Sequence, residues 1–335
     1  MNPEDKIDIV KDILRDKKVA VGFSGGADST LIAYLSSQVA KDTLAITIDN
    51  HLMPTGFVEH AKSVASLFNI RHEVIDIDFY KDKDFLKNDP KRCYNCRKLM
   101  YGQIKKVCLE NGFDYICDGN NISDFLSNRP GILITYEKEF ETPLIEARLT
   151  SKEIHEYLNE KNIAYSSSTT CLATRIPTNT QTSREKIEKI RKCEDFIYNN
   201  TRCEIVKVRD FGEIGICEVD DISKITSNNE FKLINDELKQ FGFKKLALNL
   251  SPIKDNDMIN LDYKEGEFSC QLPYTINLED SRLHLKNVEK ITESEIQTGN
   301  ININKNGLIK GINFKDYESA LDTFMEILSK IRRNI

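Results

Sequence analysis

The sequence predicts an α/β protein: an open parallel sheet with crossover helices, then a small α+β domain and an additional C-terminal α+β unit. Through the first half, short β-branched runs alternate with amphipathic stretches, the rhythm of parallel α/β units. After residue 200, two strand-like runs follow one another before a helix, which is an α+β order. The 335 residues exceed one domain at about 150 residues each.

Residues 18–23 read as a buried strand, 30–40 as a helix, 43–48 as a strand and 57–68 as a helix. Residues 74–77 form the next strand, 95–110 a helix and 114–117 another strand. Ligands of such sheets bind beyond the carboxyl ends of the strands, so the segments after Phe23, Ile48, Ile77 and Cys117 are the candidates. Thr150 and Glu153 have capping-box spacing and open a helix to about residue 162. Thr182 and Glu185 repeat it before a helix with Ile187, Ile190, Cys193, Phe196 and Ile197 on one face. Strands at 203–208 and 214–219, a helix at 231–241 and a strand at 245–250 follow. Short alternating strands and a helix at 317–331 end the chain, giving domains at 1–165, 166–254 and 255–335.

With 47 basic and 53 acidic residues, the net charge of -6 argues against a nucleic-acid partner held by charge alone. No run of about 18 uncharged apolar residues is present, so no membrane span is expected. The first residues lack the apolar centre of a secretory signal, which makes the cytoplasm the expected location. Nine cysteines in such a chain point to reduced thiols, metal ligands or catalytic groups rather than disulfides.

Ser24, Gly25, Gly26, Ala27, Asp28 and Ser29 stand between a strand and a helix. Paired glycines bring backbone N–H groups close to an anion, and Ser24, Ser29 and Thr30 add hydroxyl donors at a helix start. The loop lacks the Lys-Ser/Thr ending of a Walker A motif and is not GxGxxG. It resembles the SGGxDS loop of the PP-loop pyrophosphatases. That resemblance implies a sheet of the PP-loop ATPase type, ATP as cofactor and release of pyrophosphate with transfer of AMP. Asp28 is the candidate ligand for Mg²⁺ on the departing phosphates.

Cys93-Tyr-Asn-Cys96 can be half of a zinc site, a redox pair or two ligands of an iron–sulfur cluster. Cys108, Cys117, Cys193, Cys203, Cys217 and Cys270 sit where small apolar core residues are expected. Cys171 lies in a polar loop, where Arg175 is expected to favour its thiolate. Cys93, Cys96 and Cys171 could together hold a 4Fe–4S cluster with one iron open to sulfide; a solitary reactive Cys171 is the simpler alternative.

Asp118 and Asn120 end a strand where a nucleotide crevice should lie, with Asp124 and Arg129 following. The segment Asp49, Asn50, His51 could face adenine through backbone groups. His51 is not expected to act as a base, since nothing identifiable orients it. The basic helix after the cysteine pair reads as a solvated face.

CYNCRKLMY, DGNNISD, RPG, TPLIEARLTSKEI and SSSTTCLATRIP, in that order and spacing, resemble the LarE family of sulfur transferases over about residues 18–250. The resemblance implies adenylation of a carboxylate of pyridinium-3,5-biscarboxylic acid mononucleotide and its conversion to a thiocarboxylate for the nickel-pincer nucleotide cofactor. Members with one cysteine, at the place of Cys171, give up that sulfur and keep dehydroalanine; members with three are thought to carry a cluster that supplies sulfide. The Cys93–Cys96 pair aligns this chain with the latter. Arg175, Lys207 and Arg209 match positions that hold the substrate phosphate, with Lys207 where arginine is usual, a change that keeps the charge and loses the bidentate fork. Glu218 matches a carboxylate near the reacting centre or a bound cation. The family commonly forms hexamers, so a homo-oligomer is expected. Competing readings are a tRNA thiolase, a non-catalytic nucleotide- or cluster-binding assembly protein, and an amidotransferase, which leaves the thiols without a task.

Overall fold

In the computed structural model the described residues are 2–127, 131–167, 169–225, 229–253 and 261–334. A helix that the sequence pattern did not single out comes first. Asn2 caps α1 (Pro3–Leu14) by accepting from Asp5 N at 2.8 Å. Ile7, Val10 and Leu14, spaced at helical period, seal it onto Leu31 and Leu35.

The expected alternation follows as β1 (Lys18–Gly22), α2 (Ala27–Val39), β2 (Asp42–Asp49), α3 (Phe57–Leu67), β3 (Arg71–Asp76), α4 (Lys83–Lys87), α5 (Arg92–Glu110) and β4 (Tyr115–Cys117). The sheet is parallel, in the order β3-β2-β1-β4. Central β1 is covered on both faces, which is why Val19, Ala20 and Val21 form an unbroken apolar run. Short helices α6 (Ile132–Glu137) and α7 (Pro143–Glu146) lead to α8 (Ser151–Glu160). Its capping box is the expected one: Glu153 N donates to Thr150 Oγ1 at 3.3 Å and Thr150 N to Glu153 Oε2 at 2.9 Å.

The second expected cap moves by one residue. Thr182 N donates to Leu86 O at 2.9 Å, tying Thr182 to α4. Ser183 therefore caps α9 (Arg184–Asn200), its Oγ accepting from Lys186 N. β5 (Val206–Phe211) begins later than expected because Glu204 N and Ile205 N bond to Asp220 Oδ1 instead of entering the ladder. With β6 (Ile214–Val219), α10 (Asn229–Gln240) and β7 (Lys245–Leu248) it completes a small sheet, β5-β6 antiparallel and β6-β7 parallel. Cys193 and Ile197 of α9 pack beneath it on Val208, Cys217 and Val219.

The C-terminal unit comprises β8 (Asp262–Lys264), β9 (Glu267–Gln271), α11 (Leu278–Ser281), β10 (Val288–Ile291), β11 (Glu295–Thr298), β12 (Ile301–Asn304), β13 (Leu308–Gly311) and α12 (Tyr317–Lys330). Its antiparallel sheet runs β10-β11-β12-β13-β9-β8. Phe268, Ile303, Ile309, Phe324 and Leu328 form a core that continues into Ile122, Phe125, Ile132 and Ile145 of the first segment. This unit is therefore sealed onto the first segment by apolar contact. Among the described residues no helix is long and apolar enough to cross a membrane.

Candidate active site

The turn after β1 is held by its own hydroxyls. Ser24 N donates to Ser29 Oγ at 3.2 Å, Gly26 N to Ser24 Oγ at 3.3 Å, and Ser29 Oγ to Gly26 O at 3.2 Å. Gly25 has φ +74°, and a Cβ there would lie 3.1 Å from Ala61 Cα and 3.2 Å from Ser166 Oγ. Gly26 precedes α2 with no side chain on the helix end, leaving its first amides for an anion.

Two distant segments grip this loop. Ser166 N donates to Gly25 O at 2.7 Å, so the polar loop carrying Cys171 starts against the phosphate turn. From the other side, Asn121 Nδ2 donates to Asp28 Oδ1 at 3.0 Å. A Cβ on Gly119 would come within 2.9 Å of Ser29 N and 3.0 Å of Asp28 Cβ. Gly119 lies within the DGNN turn, but its own part, close approach to a turn 90 residues away, was not visible in sequence. Gly119→Ala is expected to push the two turns apart and weaken ATP affinity about tenfold, ~1.4 kcal/mol. Calorimetry with a non-hydrolysable ATP analogue checks this; unchanged affinity would show that the loop does not depend on that contact.

Asp118 and Asn120 stand at the carboxyl end of β4, as expected, and are buried in a network. Asp118 Oδ2 accepts from Tyr101 OH at 2.7 Å, Thr135 Oγ1 at 2.8 Å and Arg97 Nη2 at 3.0 Å. Asn120 Nδ2 donates to Thr135 Oγ1 at 2.8 Å. Arg97 belongs to the helix that read as solvated, so that reading fails for it: its guanidinium turns inward to Asp118. Asp124 closes a capping box, its Oδ2 accepting from Asn121 N at 2.9 Å. Arg129 lies outside the described residues.

Five of the six thiols expected in the core are buried there. Cys108, Cys117, Cys193, Cys203 and Cys217 are buried, Cys270 is half-buried, and Cys93, Cys96 and Cys171 remain. Helix α5 starts at Arg92, three residues earlier than expected, because Arg92 N bonds to Asp89 O. Cys93 and Cys96 therefore share one helical face three residues apart. Arg92 is buried; it donates to Ala173 O at 2.8 Å, to Asn88 Oδ1 and to Cys93 Sγ at 3.3 Å, binding the cysteine helix to the loop after Cys171. Leu172 N donates to Leu52 O at 2.7 Å, and Cys96 and Cys171 pack on the same cluster of Leu52, Phe85 and Ile187. The thiols are close enough to influence one another: burial, then Cys171 and Cys93, push the Cys96 thiol well up.

One sequence expectation is corrected here. Burial raises the pKa of the Cys171 thiol, against the opposing pull of Arg92 and of the Ala173 and Thr174 amides. Arg175 is not the cation beside it. Its buried guanidinium donates Nε to Glu194 Oε1 at 2.8 Å and Nη1 to Thr170 Oγ1 at 2.6 Å and Thr174 Oγ1 at 2.8 Å. Alkylation of Cys171 by iodoacetamide is therefore expected to keep accelerating above the ordinary thiol pKa. Arg92→Gln, which removes the charge favouring the thiolate, should move the profile to still higher pH. Peptide mass mapping against pH reads this; a profile moved to lower pH would deny Arg92 that role.

Glu194, which the apolar pattern of α9 concealed, joins the two halves of the neighbouring surface. The same Oε1 that binds Arg175 accepts from Val208 N at 2.9 Å, so one buried carboxylate fixes the Cys171 loop to β5. Burial raises its pKa while Arg175 pulls it down. Lys207 and Arg209 project from the opposite face of β5, with Lys207 in register with Glu218. Arg209 Nε meets Glu218 Oε1 at 2.9 Å, and its Nη1 donates to Thr174 O at 3.3 Å. Burial opposes ionisation of Glu218, but Arg209, Asn249 and Lys207 hold its pKa below the usual range.

His51 is oriented after all, which corrects the expectation that nothing identifiable does so. It has φ +58°, its Nε2 lies 2.8 Å from Asp76 Oδ2 and its Nδ1 3.8 Å from Asp49 Oδ1. Among the described residues these three form the group of ligand atoms that could surround a single ion, all within 4.8 Å of one another. The His51 carbonyl, a candidate for adenine, already accepts from Arg191 Nη2 at 2.8 Å and Tyr80 OH at 3.3 Å.

A parallel sheet whose first strand feeds a Ser-Gly-Gly turn at a helix start defines a class, and residues 2–129 match the family model described as a PP-loop domain. The protein is a member of this group of ATP-using enzymes. An uncharacterized protein of Methanocaldococcus jannaschii is 33% identical over 242 residues, 72% of this chain and 92% of its own length. The pyridinium-3,5-bisthiocarboxylic acid mononucleotide synthase of Lactiplantibacillus plantarum is 24% identical over 250 residues, 72% of this chain and 89% of that enzyme. A tRNA-specific 2-thiouridylase of Treponema denticola is 31% identical over 122 residues, 31% of this chain. The chain belongs to the LarE-like family of PP-loop proteins.

Proposed function

We propose that this protein is an ATP-dependent sulfur transferase that adenylates a carboxylate of pyridinium-3,5-biscarboxylic acid mononucleotide and converts it to a thiocarboxylate. The observation that carries this is where the polar loop is anchored: Ser166 on the phosphate turn and, just after Cys171, Leu172 on Leu52 and Ala173 on Arg92. Cys171 is five residues from Ser166. Five residues span at most about 18 Å, so the thiol lies within reach of a mononucleotide whose carboxylate sits at the phosphate turn.

The chemistry follows from the leaving groups. A carboxylate oxygen attacks the α-phosphorus of ATP, pyrophosphate departs on the amides of the turn, and AMP then leaves when sulfur attacks the acyl carbon; Asp28 would hold Mg²⁺, which would offset the charge of the departing phosphates. Arg175, Lys207 and Arg209 are the cations for the substrate phosphate, and Glu218 the carboxylate for a bound cation. Arg92 donates to Cys93 Sγ and acts on Cys171, and the Cys93, Cys96 and Cys171 thiols influence one another, a set of donors and a cation that would suit a 4Fe–4S cluster and its negative charge. Such a cluster would supply sulfide at its open iron. Without it, Cys171 Sγ itself would attack, and elimination from the thioester would leave dehydroalanine.

The likeness to the 2-thiouridylase spans 31% of this chain, and so supports use of ATP more than a tRNA substrate. Anaerobic purification followed by iron and sulfide analysis is the test. Bound iron and sulfide that disappear in Cys93→Ala are the expected result. An iron-free protein that gains dehydroalanine at position 171 would assign the sulfur to Cys171 itself, and ADP as the spent nucleotide would overturn adenylation.

A further inference from the structure

We propose that the cavity between α6 and the C-terminal unit is a binding site for a small metabolite bearing an oxyanion, a carboxylate or a phosphate monoester, held by Arg332. The cavity measures about 770 Å³ and has Arg332 and Arg333, only 9% and 4% exposed, among its lining residues. Exposed Glu137, Glu139 and Glu141 and half-buried Asp280 also line it.

Arg332 is the anomaly. Its guanidinium lies 3.9 Å over the Tyr136 ring, and only Nη1 is spent, on Ile331 O at 3.0 Å and Ser329 O at 3.4 Å. Nε and Nη2 make no hydrogen bond to the described residues, and no carboxylate there comes within ion-pair distance. Neither nitrogen is among the sealed atoms that lack a partner, so both face open space rather than packed protein. Burial lowers the pKa of this arginine, with Asp280 and Tyr136 only partly opposing it. A buried guanidinium without a counter-ion is costly, and its planar fork matches the two oxygens of a carboxylate or phosphate. The lining acids require the rest of that molecule to be neutral or cationic.

The location gives the site a reason. Tyr136 follows Thr135 on α6, and Thr135 Oγ1 donates to Asp118 Oδ2 at 2.8 Å. One short helix thus touches the Arg332 pocket and the network beside the phosphate turn.

Calorimetry on the full chain tests this with two probes, inorganic phosphate and L-glutamate, whose ammonium suits those acids. A Ser24→Ala/Ser29→Ala variant disables the phosphate turn; Arg332→Gln and Arg332→Lys disable the pocket wholly or in its fork alone. We expect one probe to bind with an affinity that survives the serine variant, falls by about tenfold or more in Arg332→Gln and falls less in Arg332→Lys. Persistence of phosphate binding identifies a phosphate monoester, and of glutamate binding a carboxylate. ATP binding measured in parallel reports whether Arg332→Gln is folded; if it is not, equal affinity in Arg332→Lys and the unsubstituted protein overturns the proposal. So does failure of both probes to bind, or binding that vanishes in the serine variant and persists in Arg332→Gln.

Discussion

Cys171→Ala is expected to abolish thiocarboxylate formation while pyrophosphate is still released, in about one equivalent, from ATP and substrate. The two steps use different groups. In the proposed mechanism adenylation depends on the turn from Ser24 to Ser29, whose internal bonds do not involve Cys171. In that mechanism sulfur transfer needs the thiol, on the cluster route and on the self-consuming route alike. Alanine removes one half-buried sulfur from the edge of the Leu52 cluster, and the loop stays anchored by Leu172 N on Leu52 O. The fold should therefore survive. Mass spectrometry of the product with a coupled pyrophosphate assay separates the steps; thiocarboxylate formed by this variant would remove Cys171 from the mechanism.

Asp118→Ala should destabilise the nucleotide-binding unit by about 3–5 kcal/mol, the cost of stranding one partner of a buried ion pair. Asp118 is 3% exposed, and its carboxylate is the common acceptor for Arg97, Tyr101 and Thr135. Its loss removes the carboxylate that Arg97 bonds directly and leaves Asp124 as a neighbouring charge. Adding Arg97→Met should recover part of the loss, since removing both charges also removes the penalty. Urea denaturation of the two variants reads this out. A loss under about 1 kcal/mol for Asp118→Ala would mean that Arg97 reaches solvent when its partner is gone.

The parallel sheet was readable because buried strands and amphipathic helices leave their periods in the order of residues, and the phosphate turn because its glycines and hydroxyls are contiguous. Cys93 and Cys96 were singled out by their spacing and Cys171 by its polar loop, yet Cys96 and Cys171 pack on the Leu52 cluster and are half-buried like Cys270. Arg175 and His51 were misread for a shared reason. Arg175 meets Glu194 from α9, and His51 meets Asp76 from β3; neither partner is near in sequence. The cap of α9 shifted by one residue because a backbone bond from Thr182 to Leu86 outweighed a local pattern.

Local order thus dictated the elements, the anion-binding turn and which thiols stand apart from the core, since each depends on residues within a helical turn or a strand. Packing of the C-terminal sheet against α6, the inward turn of Arg97, the burial of Arg332 and the joining of the Cys171 loop to β5 through Glu194 were settled only in three dimensions. Each depends on which faces meet when helices settle on sheets: that contact brought Asp118 to Arg97 and Glu194 to Arg175, and brought no carboxylate of the described residues within ion-pair distance of Arg332.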